Sequence, residues 1–220
     1  LKHLAESHNL MALEILDLRK NNITDKGVLE FAKSPNYTNV QKVDLSDNNL
    51  TEIGRNAIKG VLIVNLIRER TKETDNGMTC DLSNLGIGDF ECDFIANHEG
   101  FDNLTHLYLE LNKITEAGIC KIAESKFMET VNLLSLDRNK IGDKGTEYIV
   151  KSKNFKNLTH LMIEYNNISD EGIKLIAESK NMSNLLRVYL DGNPYTDEGF
   201  NILSESEYLE QLEYPEFEHE

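Results

Sequence analysis

Long apolar runs are missing from this sequence. No stretch reaches the roughly 18 to 20 apolar residues that a membrane-spanning helix needs, since the richest run, Val61 to Ile67, is broken at Asn65 and ends against Arg68. Membrane insertion is therefore not expected. Positive charge is also scarce: 23 Lys and Arg stand against 38 Asp and Glu, a formal net charge of -15. Nucleic-acid binding draws most of its affinity from cations that neutralise phosphates, so this balance argues against a nucleic-acid partner. Cysteine is confined to Cys80, Cys92 and Cys120, an odd number with no CxxC spacing. Neither a disulfide framework nor a zinc site is suggested, and a reducing, cytoplasmic compartment is the simpler reading. Neither a GxSxG nucleophile elbow nor a GxxxxGK(S/T) phosphate loop occurs, so no catalytic residue and no cofactor is expected, and the chain is not read as an enzyme. The opening Leu1-Lys2-His3 has no initiator Met, basic n-region or cleavage site and reads as a cut in a longer protein.

What the chain does hold is 40% apolar residues, enough for a real core, arranged with a strict period. The pattern LxxLxLxxNx(I/L)x(D/E), followed in most copies by Gly two positions later, places its Asn at Asn21, Asn48, Asn112, Asn139, Asn166 and Asn193. Leu85 stands at the equivalent place in a degenerate third copy, so the successive intervals are 27, 37, 27, 27, 27 and 27 residues. The single 37 is one period plus ten inserted residues around Val61 to Asn76, expected as a longer helix with a solvated tip. The expected organisation is one domain over 1–220. Residues 1–12 hold the helix of a truncated preceding repeat, because Leu4-Ala5-Glu6-Ser7 copies Ile122-Ala123-Glu124-Ser125. Residues 13–203 hold seven repeats, and 204–220 a degenerate capping strand, Leu209-x-x-Leu212-x-Tyr214, halted at Pro215, with an acidic tail.

Within a copy the periodicity changes. Leu107 and Leu109 alternate as a strand does, whereas Ile119, Ile122 and Ala123 form the i, i+3, i+4 stripe of a helix. An acid stands at position 13 of every copy (Asp25, Glu52, Asp89, Glu116, Asp143, Asp170, Asp197), often after Thr or Ser. That is helix-start chemistry: a hydroxyl for an orphan N–H and a carboxylate at the positive end of the helix dipole. One unit cannot bury its own apolar side, so the units must stack, strands beside strands and helices beside helices. Position 9 Asn is expected to turn inward and satisfy buried backbone groups, which Leu85 cannot do.

These repeats resemble the leucine-rich repeat family, and the 27-residue length with its I-x-D-x-G stretch looks most like the ribonuclease-inhibitor-like class. The resemblance covers nearly the whole chain. It implies an α/β fold, a right-handed α/β solenoid or horseshoe with a parallel concave sheet and convex helices. It also implies a protein–protein interaction module that binds a partner protein on the concave face. Such a module would belong to a larger cytosolic protein or to a bacterial effector delivered into a host cell, and a monomer is expected. Ran GTPase-activating proteins also combine such repeats with an acidic C-terminal region, which keeps GTPase activation as an alternative. Here residues 205 to 220 hold seven Glu and no Lys or Arg. The sequons at Asn22, Asn36, Asn49, Asn103, Asn157, Asn167 and Asn181 keep a receptor ectodomain as another.

Strand alternation selects the candidate partner-binding residues. Position 5 reads Asp17, Asp44, Asp81, Tyr108, Ser135, Met162, Tyr189, and position 3 reads Ile15, Lys42, Thr79, His106, Leu133, His160, Arg187. Position 7 contributes Glu110, Asp137, Glu164 and Asp191, while Leu111 and Tyr165 follow at position 8. Tyr108, Leu133, Met162 and Tyr189 are expected as anchors, with Tyr165, His106, His160 and Arg187 beside them and the four acids selecting a basic rim on the partner. His106 and His160 share a register two strands apart, about 10 Å, with no third ligand nearby, so no metal is expected.

Overall fold

The computed structural model describes residues 1–8 and 11–213. The chain divides into two compact units, Leu1–Glu69 and Arg70–Glu220. In the first, helices α1 (Lys2–Ala5), α2 (Asp25–Ala32) and α3 (Glu52–Arg70) accompany strands β1 (Ile15–Asp17) and β2 (Lys42–Asp44). The strands pair in parallel with Leu16 opposite Val43. Val28, Phe31, Tyr37, Val40 and Ile58 form the core, with Leu16 and Val43 packed against it.

The second unit is a six-stranded sheet in the order β3 (Thr71–Thr74), β4 (Gly77–Asp81), β5 (Leu104–Tyr108), β6 (Leu133–Ser135), β7 (His160–Met162), β8 (Arg187–Tyr189). From β4 to β8 the strands are parallel, and each returns through a helix: α4 (Asp89–Ala96), α5 (Glu116–Glu124), α6 (Gly142–Lys151), α7 (Asp170–Ala177), with α8 (Asp197–Ser204) following β8. Consecutive helices pack on one another. Between the layers lie Leu107, Leu134, Leu161 and Val188 from the strands and Ile95, Ile122, Ile149 and Ile176 from the helices, all buried. Phe101, Met128, Phe155 and Met182, one per repeat, close the core where each helix turns back towards the next strand.

The insertion lengthens its helix as expected, and a strand that was not expected follows that helix. It supplies α3, 19 residues long, and then β3, which pairs antiparallel with β4 through Thr71 opposite Cys80 and Thr74 opposite Gly77. The edge of β4 is thus occupied by a hairpin partner. An antiparallel neighbour needs only a tight turn, which the residues between Thr74 and Gly77 supply.

The position-9 asparagines explain the period. Asn112 donates to Leu82 O and to Leu109 O, both at 2.9 Å, and its Oδ1 accepts from Leu85 N and Ile87 N. Each carboxamide therefore ties its own strand exit to the repeat before it. Asn48, Asn139, Asn166 and Asn193 repeat the arrangement. At the helix starts Thr51, Thr115, Ser169 and Thr196 accept from the N–H two residues on, as capping chemistry requires. The acids do more than face the helix dipole. Asp89 accepts from Thr115 N at 2.8 Å, Thr115 Oγ1 at 2.7 Å and Gly118 N at 3.0 Å, all in the next repeat. Asp25, Asp143 and Asp170 grip Thr51, Ser169 and Thr196 in the same way. The motif's Gly follows from this approach, since a Cβ on Gly118 would sit 2.6 Å from Asp89 Oδ1. Serines form a further ladder to the preceding helix's last turn, Ser152 Oγ to Ala123 O and Ser179 Oγ to Val150 O.

Of the expected capping strand and acidic tail, residues 214–220, including Tyr214 and Pro215, lie outside the described residues. Within them Leu209 and Leu212 are buried and Glu213 N donates to Leu186 O at 2.7 Å, one rung beyond β8.

The fully buried Asn166 donates to Glu164 O within its own repeat, and across the repeat boundary it donates to Leu136 O and accepts from Ile141 N. Asn166→Ala leaves those backbone groups unsatisfied and is expected to cost about 2 to 4 kcal/mol in equilibrium urea unfolding.

Candidate interaction surface

With the Leu row turned inward, strand alternation turns positions 3 and 5 out. On the second unit His106, Leu133, His160 and Arg187 are in register across β5 to β8, as are Tyr108, Ser135, Met162 and Tyr189. The two rows do not form an even apolar surface. Ser135 is only 1% exposed, so the position-5 row is interrupted between Tyr108 and Met162. Leu133 stands between the two histidines. His106 stacks on Tyr108 with ring centroids 6.5 Å apart, and each imidazole Nδ1 lies 2.9 Å from the hydroxyl of the preceding Thr105 or Thr159. Burial, reinforced by His160 beside His106 and by Arg187 beside His160, lowers both imidazole pKa values. Arg187 does not stand free: its guanidinium binds Glu213 at 2.9 and 3.0 Å. Among the described residues no group of three or more His, Cys, Asp or Glu is placed to hold a metal ion.

Position 7 continues the ladder beyond the named strands. Leu111 N donates to Asp137 O, Arg138 N to Glu164 O and Tyr165 N to Asp191 O. Glu110, Asp137, Glu164 and Asp191 therefore follow one another at strand spacing, about 4.8 Å per rung. Like charges on adjacent rungs repel, which adds to the effect of burial on these carboxyls. Desolvation, with Glu164 and Glu110 on either side, pushes the Asp137 carboxyl up to about 6, although its Oδ1 accepts from Glu164 N at 2.8 Å. Glu164 is raised as well, by burial and by Asp191. Glu110 Oε2 is buried without a hydrogen-bond partner.

Position 8 shows a feature the sequence did not signal. Lys20, Asp47, Asn84, Leu111, Arg138, Tyr165 and Gly192 all have positive φ, between 50° and 70°. The repeat demands a left-handed residue as the chain leaves the sheet, a conformation that Gly, Asn and Asp accept readily and that costs other residues about 1 to 2 kcal/mol. Leu111 and Tyr165 adopt it nonetheless, 49% and 46% exposed. Arg138, absent from the sequence-based candidates, lies over the Tyr165 ring at 4.0 Å. The same ring packs on Gly192, where any Cβ would collide with it. At the end of the unit Glu164, Tyr189 and Asp191 also line a cavity of about 320 Å³ whose remaining walls include Val188, Tyr195, Phe200 and Leu212.

Family models described as Leucine Rich repeat match residues 9–32 and 156–177, and a Leucine Rich Repeat model matches 39–61. Together with the stacked 27-residue units, these matches make the chain a leucine-rich repeat protein. No curated protein matches it in sequence. Solved structures similar to it include an internalin, inlF, from Listeria monocytogenes str. 4b F2365, at 19% identity and a TM-score of 0.41, covering 97% of this chain and 49% of that one. Another is the plant peptide hormone receptor RGFR1 in complex with RGF2, at 14% identity and a TM-score of 0.29, covering 94% of this chain and 40% of that one. The chain thus spans about half the length of the first and less of the second. Among the described residues no helix is long and apolar enough to cross a membrane.

The Asp137 carboxyl sits above its ordinary 3.8, so the folded chain holds a proton that the unfolded chain releases between pH 4 and 6. Its contribution to stability therefore falls as pH rises through that window. Asp137→Asn keeps an acceptor for Glu164 N and removes the charge. It should stabilise the fold at pH 7.5 by roughly 1 kcal/mol, after allowance for partial exposure. The gain should vanish near pH 4 when unfolding is followed by circular dichroism.

Proposed function

We propose that this chain is a protein-interaction module and that the sheet face of its second unit holds a partner protein. The observation that carries the reading is the outward register of positions 3, 5 and 7 over consecutive rungs, which gathers Tyr108, Leu133, Met162 and Tyr189 beside Glu110, Asp137, Glu164 and Asp191 on one side of a rigid ladder. Half-buried aromatic and apolar side chains are effective anchors because they are already ordered and lose little entropy on docking. The acids beside them favour a partner with a basic rim and give the encounter a salt dependence. His106, His160 and Tyr165 extend the contact, whereas Arg187 must first give up Glu213 to join it. The chain supplies recognition and no reaction of its own. All three cysteines are free and two are buried, which suits a reducing interior, cytosolic or that of a host cell.

A photo-cross-linking residue at Met162 should capture the partner from cells, while the same residue at the exposed Lys151 of α6 should not. For the captured protein, Tyr108→Ala with Tyr189→Ala is expected to weaken affinity about tenfold or more. Affinity retained within about twofold, with loss on changes to the helix side, would place the site elsewhere.

A further inference from the structure

Within the second unit the exposed large apolar or aromatic side chains among the described residues are Leu85, Leu111 and Tyr165, 37%, 49% and 46% exposed. All three belong to the short loops by which the chain leaves a strand, at positions 8 and 9 of their repeats. None comes from the helix layer, and the sheet-face candidates are less exposed. An exposed apolar cluster confined to one edge marks an interaction surface more specifically than scattered residues do. Leu111 and Tyr165 also occupy backbone positions with φ of 58° and 52°, where sister repeats carry Asp47, Asn84 and Gly192. Bulky side chains are held outward there against the conformational preference of the site.

Directly inside this edge runs the position-7 acid row. Glu110 Oε2 is buried and has no hydrogen-bond partner, and Asp137 and Glu164 repel one another across a rung. Arg138 attracts both Asp137 and Glu164 but is placed over the face of Tyr165. A negative row therefore borders an apolar ridge, and each lacks what the other side of an interface would supply.

We infer that the partner crosses the repeats along the edge where the strands leave the sheet, as a segment that sets basic side chains against Glu110, Asp137 and Glu164 and apolar ones against Leu111 and Tyr165. This rests on the reading of the chain as a protein-interaction module and assigns that module's partner a chemistry and a path. Positions 7 and 8 succeed one another through continuous backbone hydrogen bonds from Asn84 N to Glu110 O as far as Tyr165 N to Asp191 O. The four acids thus span about 14 Å, the reach of four or five residues of extended chain. A ligand arginine can pair with the carboxylates in the fork geometry that suits them and still lay its plane near Tyr108 or Tyr165.

Three labelled short peptides serve as probes: alternating Arg and Leu, the same peptide with Glu for Arg, and the same peptide with Ser for Leu. Fluorescence anisotropy should show the Arg–Leu peptide binding the chain, weakening with added salt, and at least about tenfold tighter than either of the others. Leu111→Asn with Tyr165→Asn should lower its affinity about tenfold while the unfolding midpoint stays level or rises, because asparagine accepts the left-handed backbone. A purely structural role would move the midpoint down instead. Glu110→Gln with Glu164→Gln should lower the affinity comparably and remove most of the salt dependence. Equal binding of the Glu–Leu or Arg–Ser peptide, retention within about twofold by the Asn variant, or binding of none of the three would overturn the inference. A cross-linked partner that needs Tyr108 and Tyr189 but is indifferent to Leu111 and Tyr165 would sink this path and leave the wider reading standing.

Discussion

A side-chain carboxamide donates two hydrogen bonds and accepts two, and the architecture depends on placing one at each strand exit. There the parallel ladder ends, the chain turns left-handed, and several backbone groups would otherwise be buried without partners. Asn112, Asn139, Asn166 and Asn193 each take carbonyls from two successive repeats and return an oxygen to the preceding one. The stacking register is thereby fixed to the residue, and a slip of one would turn the Leu row outward. The side chains displayed on the surface are a consequence of that fixing. Tyr108, Met162 and Tyr189 face out because Leu107, Leu134, Leu161 and Val188 must face in.

The third copy shows what happens without the carboxamide. Leu85 offers none, although its backbone still donates to Asn112. The same copy is preceded by the antiparallel strand β3, and the division of the chain into two units falls just before that strand. Degenerate motif, inserted residues and unit boundary coincide, as expected of repeats whose cohesion comes only from nearest neighbours.

Much of this was legible in the sequence because the repeat superimposes several copies of each position. Strand register, inward asparagines and hydroxyl caps follow from period and alternation. The acids at position 13 act beyond their own helix start. Their partners lie in the next repeat, and the pairing is visible in hindsight: Asp25, Asp89, Asp143 and Asp170 each precede a copy that offers Thr51, Thr115, Ser169 or Thr196, whereas Glu116 precedes Gly142, which has no hydroxyl. The hairpin strand was not legible, since Thr71 to Thr74 is polar and carries no alternation. Nor was the left-handed position 8, because Leu111, Arg138 and Tyr165 lack the Gly or Asn that would announce it. The pairing of Arg187 with Glu213 depends on the turn after α8, which no motif specifies.

Amide hydrogen exchange read residue by residue tests the ladder most directly. The backbone N–H groups of Ile87, Ile114, Ile141 and Ile168 lie outside regular helix or strand, yet each donates to the carboxamide oxygen of the following repeat's asparagine. They should exchange as slowly as the central strand amides of Leu134 and Leu161, opening only with the unit as a whole. Exchange at the rate of an unstructured loop would contradict the account, because the register that displays the surface would then have no such anchor.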